Sequence, residues 1–145
     1  MRRHHPLAFL LLLLATPLAS FQPSAQQPSL RVDIVNVQQN KGKVVVAIYK
    51  NKADWLKKPF RKLTLPTDKS AQTASLAVPH GTYAISVFQD TNGNDELDQN
   101  FLGIPKEPIG FGNNYRPFGK PNFEAAVIEH SSASKPAAIK LFNVL

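Results

Sequence analysis

The chain has 145 residues, 43% of them hydrophobic, a formal charge of +7 and no cysteine. That length suits one compact domain, and the missing thiol excludes disulfides, a cysteine nucleophile and a lipid anchor on an N-terminal cysteine. The fold must stand on its hydrophobic core alone.

Arg2, Arg3, His4 and His5 precede an apolar run from Leu7 to Ala15 that includes five consecutive leucines. A short apolar core behind a basic start reads as a secretory signal peptide over residues 1–25, too short for a transmembrane span of about 20 residues. The expectation is a periplasmic or secreted protein with no membrane anchor after cleavage, its single domain covering residues 26–145. Removing Arg2 and Arg3 leaves fifteen basic against ten acidic residues.

Beyond the leader the dominant pattern is alternation with period two, the mark of half-buried strands. Leu30–Val37 alternates cleanly, and Val44–Tyr49 is a β-branched run that reads as a strand buried on both faces. With Asn40-Lys-Gly42 between them, the two are expected to pair as a hairpin. Asn51–Phe60 predicts a helical turn or loop, followed by a short strand, Arg61–Leu65, halted by Pro66.

Gln72–Val78 and Thr82–Phe88 predict a second hairpin around Pro79-His80-Gly81. Residues 99–121 hold four glycines and four prolines and predict a long ordered loop. Phe123–His130 and Ala137–Leu145 supply closing strands around Ser131–Ser134. About seven short strands predict an all-β fold, a single antiparallel β-sandwich.

Six basic residues, Lys50, Lys52, Lys57, Lys58, Arg61 and Lys62, crowd around Trp55 and Phe60. Basic residues interleaved with aromatics suit anionic surfaces, but a solvated connection with its rings turned inward is the favoured reading. No nucleic-acid motif accompanies them, and no nucleic-acid partner is expected.

Residues 88–98 carry the densest chemistry: Asp90, Asp95, Glu96 and Asp98, with Asn92 and Asn94 around Gly93. Calcium prefers six to eight oxygens, and with Asp90 as position 1 the oxygens of Asn92, Asn94 and Asp98 fall at positions 3, 5 and 9. A full EF-hand fails, because Phe101 stands where its bidentate glutamate belongs and the glycine comes at position 4 instead of 6. Two readings stay open. One is a looser, weak calcium site of Asp90, Asn92, Asn94 and Asp98; the other is a tight turn built on Asn92-Gly93.

The block Gly81–Asn94, Leu97-Asp98, Asn100–Glu107, Gly110-Phe111, Asn113-Asn114, Phe118-Gly119 and Pro121–Ala126 resembles the DUF2141 family of bacterial exported proteins over about residues 32–142. The resemblance implies a secreted immunoglobulin-like or transthyretin-like β-sandwich and no established activity.

Catalytic residues are scarce. His80 and His130 alone remain beyond the leader and read as surface residues, and no serine sits in a nucleophile elbow. A paired-carboxylate glycosidase stays formally open through Asp90, Asp98 and Glu107 or Glu124. The expectation is a non-enzymatic protein. Between Phe101 and Phe123, aromatics stand beside amides and a guanidinium, so Asn113, Asn114, Tyr115, Arg116 and Phe118 form a candidate platform for a small molecule or carbohydrate. Packing of the loop onto the domain explains the same residues. The functional expectation is therefore an envelope binding or accessory module, whose partner is a small molecule, a carbohydrate or an envelope protein. Its alternative is a structural or interaction protein that meets anionic surfaces through residues 50–62.

Overall fold

The structure is a computed structural model and describes residues 27–145. The expected leader lies outside the described residues. Eight strands follow in chain order: β1 (Ser29–Val35), β2 (Lys43–Tyr49), β3 (Arg61–Leu65), β4 (Ala71–Ala77), β5 (Gly81–Asp90), β6 (Ile109–Phe111), β7 (Val127–His130) and β8 (Ala137–Lys140). Three short 3-10 turns, at 52–54, 112–114 and 124–126, interrupt them, and no α-helix occurs among the described residues.

The strands form two sheets, one ordered β4-β1-β8 and one ordered β3-β2-β5-β6, with β7 also on β5. β6 pairs with residues 86–88 of β5 and β7 with residues 81–84. Since β2 takes the opposite flank of β5, β6 and β7 share one flank. They act as a single edge strand broken by the excursion 112–126.

Alternation places Leu30, Val32 and Ile34 of β1, Ala74 and Leu76 of β4, and Ile139 of β8 against Val44, Val46, Ile48, Ile85 and Val87 of the larger sheet. This apolar layer between the sheets is the main core. The odd-numbered positions of β2 and even-numbered positions of β5 face outward, yet most of them too are covered. Ala47, Tyr49, Ala84 and Phe111 pack under Trp55, Phe123 and Ala126. β2 is therefore buried on both faces, as its unbroken apolar run predicts.

Several expectations are corrected. β1 and β2 are not a hairpin: β1 pairs with β4 and β8, and β2 pairs with β3 and β5. The connection 36–42 is an arch from one sheet to the other, with Asn36, Asn40 and Gly42 all at positive φ. β4 and β5 likewise lie in different sheets. β1 and β8 run parallel, so the smaller sheet is mixed and not purely antiparallel. Strands among the described residues number eight, because β6 lies inside the segment expected to be all loop. Its Gly110 is required there, since a Cβ would press into Ile139 of β8.

At the start of β5, the Tyr83 hydroxyl donates to the Pro79 carbonyl 2.7 Å away. This ties the crossover between the sheets to the strand it enters.

Candidate functional site

The acidic loop leaves the end of β5, where Asp90 faces Lys43 across the β5–β2 pair. Asp90 is fully buried. A buried carboxylate needs donors around it, and the loop supplies them. Oδ1 accepts the backbone N–H groups of Gly93 (2.7 Å) and Asn94 (3.1 Å), and Oδ2 accepts that of Asp95 (2.8 Å). The Lys43 ammonium stands 3.6 Å from Oδ2 and 2.6 Å from Asp95 Oδ1. That contact raises the Lys43 pKa and lowers that of Asp95, the mutual hydrogen bond being the main cause in each case.

A second buried carboxylate, Glu107, closes the loop from its far end. Its Oε1 accepts the N–H (2.7 Å) and hydroxyl (3.0 Å) of Thr91, and its Oε2 accepts the Asp98 N–H at 3.1 Å. Two buried acids thus hold five backbone donors of one short loop. Glu107 enters the sequence analysis only as a formal catalytic acid; its place in the glycine- and proline-rich segment just past the acidic turn is the signal available.

Further out, Asn92 Oδ1 accepts the Asn94 N–H and Asn94 Oδ1 accepts the Glu96 N–H, at 3.2 and 3.0 Å. Both amide groups donate to Asp98, Asn92 at 2.6 Å and Asn94 at 3.1 Å. The structure therefore brings Asn92, Asn94 and Asp98 together above Asp90. Asp95, sixth from Asp90, has a φ of +69°, the left-handed turn that an EF-hand assigns to glycine. Among the described residues, no three His, Asp or Glu side chains gather as a metal-ligand set. Any cation here would depend on amide and carbonyl oxygens.

The second candidate group divides. Asn113 donates its amide to the carbonyls of Ala125 (3.1 Å) and Val127 (2.7 Å), and Asn114 Oδ1 accepts the Lys140 N–H at 2.7 Å. Both asparagines hold positive φ and serve to pin the excursion to β7 and β8. Tyr115 is half-buried against Phe111. Arg116 lies over Phe142, its guanidinium carbon 4.5 Å from the ring centroid, and borders an open recess of about 600 Å³ shared with Asn36, Gln38, Pro108, Lys140 and Phe142. Phe118 stands fully exposed, as does Phe101 at the tip of the turn that Asn100 caps.

The basic segment is also partly gathered. Lys50 sits 3.7 Å above the Phe60 ring and Arg61 4.9 Å from it, while Lys52 is drawn away to Glu124. Trp55 turns inward and donates its indole N–H to the Pro121 carbonyl at 3.0 Å.

His130 is buried and not on the surface as expected. Its Nε2 has no hydrogen-bond partner, and the exposed His80 ring stands 5.1 Å away, edge to face. These histidines lie at the β7 end of β5, opposite the acidic loop, so neither converges with Asp90 or Asp98.

No curated protein and no solved structure matches the chain. Residues 32–138 match the family described as "Uncharacterized protein conserved in bacteria (DUF2141)", and the chain belongs to that family.

Proposed function

We propose that the protein is an exported, non-enzymatic binding or accessory module of the bacterial envelope, built on an immunoglobulin-like or transthyretin-like sandwich. The observation that carries this reading is the recess beside Arg116. Its volume, about 600 Å³, lies within the range of about 300–1,000 Å³ typical of ligand pockets. Arg116, whose guanidinium lies over Phe142, borders it together with Lys140 and Gln38. Such a lining suits a small polar or anionic ligand, a carbohydrate acid among them. The tyrosine-to-carbonyl tie at Tyr83 supports the immunoglobulin-like kinship.

A glycan array probed with the parent and with Arg116→Ala tests the reading. Arginine-dependent binding of acidic sugars supports it, and an array left blank by the parent removes the carbohydrate class.

Weak calcium binding by Asp90, Asn92, Asn94 and Asp98 is a second part of the proposal, favoured by the positive φ of Asp95 at the sixth position. Calcium would displace the two amide donors from Asp98 and take their oxygens instead. Few anionic ligands imply an affinity of about 0.1–1 mM. Melting with calcium and with chelator decides: an upward shift at millimolar calcium supports the site, and an unchanged melt leaves the loop as a hydrogen-bonded brace alone.

A further inference from the structure

The turn between β2 and β3 contains a backbone conformation that its sequence does not favour. Leu56 has a φ of +57°, a region that bulky side chains avoid at a cost and that persists only where the surroundings enforce it. The enforcement is visible. Asn51 Oδ1 accepts the Asp54 N–H, and the Asp54 carbonyl accepts the N–H groups of both Lys57 and Lys58 at 2.9 Å. Beneath, Trp55 is locked between Tyr49 and Phe123, with its indole held by Pro121. The strained residue is thus the one that leaves the core, and its side chain is 45% exposed.

Cations follow it in the chain and gather around the neighbouring Phe60. Lys57 and Lys58 follow directly, and Lys58 shares with Lys50 and Phe60 a depression of about 260 Å³. Arg61 completes the group over the Phe60 ring. Asp54 is the one carboxylate lining that depression, and it accepts the Asn51 amide at 2.9 Å. The result is an exposed apolar side chain beside a cluster of cations, and among the described residues Lys50, Lys57, Lys58 and Arg61 make no ion pair.

We propose that this turn docks the protein on a bilayer surface rich in anionic phospholipid, with Leu56 entering the interface and Lys50, Lys57, Lys58 and Arg61 meeting phosphates. Charge complementarity selects the partner, since each Lys or Arg near an anionic membrane strengthens binding about fivefold. The apolar tip distinguishes a bilayer from a soluble polyanion, which gains nothing from Leu56. This inference deepens the interaction reading of residues 50–62 and takes only its cellular setting from the exported reading. Its failure would leave the recess and calcium experiments untouched.

Sedimentation with vesicles of phosphatidylglycerol and phosphatidylcholine in about equal parts, and with phosphatidylcholine alone, gives the test. Binding is expected to the anionic vesicles only and to weaken as salt is raised. Lys57→Gln with Lys58→Gln should weaken it about 25-fold, two charges at the fivefold factor each. Leu56→Asn supplies the discriminating arm, because asparagine tolerates positive φ: the variant should melt no lower than the parent and still bind vesicles less well. Equal binding to neutral vesicles, unchanged binding by the lysine variant, unchanged binding by folded Leu56→Asn, or binding of soluble polyphosphate without vesicle binding would each overturn the proposal. Should Leu56→Asn fail to fold, the lysine variant decides.

Discussion

Glu107 accepts both the backbone N–H and the hydroxyl of Thr91, so the last acid of the loop region grips the first residue of the loop. Its other oxygen takes the Asp98 N–H. Replacing one oxygen by an amide in Glu107→Gln turns a donor toward donors already in place. The expected cost is about 1–3 kcal/mol, the penalty for leaving buried polar groups unsatisfied. A urea melt checks this, and a change below about 0.5 kcal/mol, the size of an ordinary surface substitution, would remove Glu107 from the brace.

Gly42 approaches the same region from the β1–β2 arch. Its φ is +57°, and a Cβ there would overlap the carbonyl oxygen of Asp90. Gly42→Ala combines left-handed strain of about 1–2 kcal/mol with overpacking of about 1–3 kcal/mol against backbone that cannot swing away. Chemical denaturation should show a loss of about 3 kcal/mol or failure to fold, and a near-neutral alanine would refute the close approach.

These two residues show how far the sequence could be read. Period-two alternation reveals which side chains face inward, so the burial of Val44, Val46 and Ile48 was legible. It does not reveal which strand lies alongside, because any partner with an apolar face satisfies the same pattern. Asn40-Lys-Gly42 looks like a hairpin turn locally, and only the two-sheet packing makes it an arch. β6 was hidden because a three-residue strand containing Gly110 carries no periodicity. In the site, the short-range Asx contacts of Asp90 and Asn92 were legible as turn chemistry. The grip of Glu107 on Thr91 was not, since it depends on where a glycine- and proline-rich segment returns.

Lys43 links the loop to pH. Asp95 is held below its ordinary pKa by Lys43, so its contribution is present above the unfolded carboxylate value and is lost as pH falls through the lower folded value. Lys43 is raised by the same contact; its contribution is present below about pH 10.4 and is lost as pH rises through the folded value. Melting temperature should therefore fall below about pH 4 and above about pH 10. Lys43→Met should shrink the acid arm without abolishing it, because Lys52 still depresses Glu124. Burial raises Tyr49 and Tyr83, so the alkaline arm persists in the variant. An acid arm identical in parent and variant would contradict the Lys43–Asp95 coupling.

Asn113 offers a choice between backbone support and ligand contact. Its φ is +60°, and its amide donates to Ala125 and Val127, fastening the excursion beside β7. Asn113→Ala loses those bonds, about 1 kcal/mol net, and forces a Cβ residue without local compensation into the left-handed region, a further 1–2 kcal/mol or so. Asn113→Gly loses the same bonds but adopts that φ freely. The alanine variant should thus be the less stable by about 1 kcal/mol, and that gap isolates the backbone term from the side-chain term. Trp55, the sole tryptophan, packs against Phe123 of the same excursion, so its fluorescence should redden in the variants if the cover loosens. Equal stability for alanine and glycine, with Trp55 emission unmoved in both, would release Asn113 from the scaffold and return it to the candidate ligand contacts.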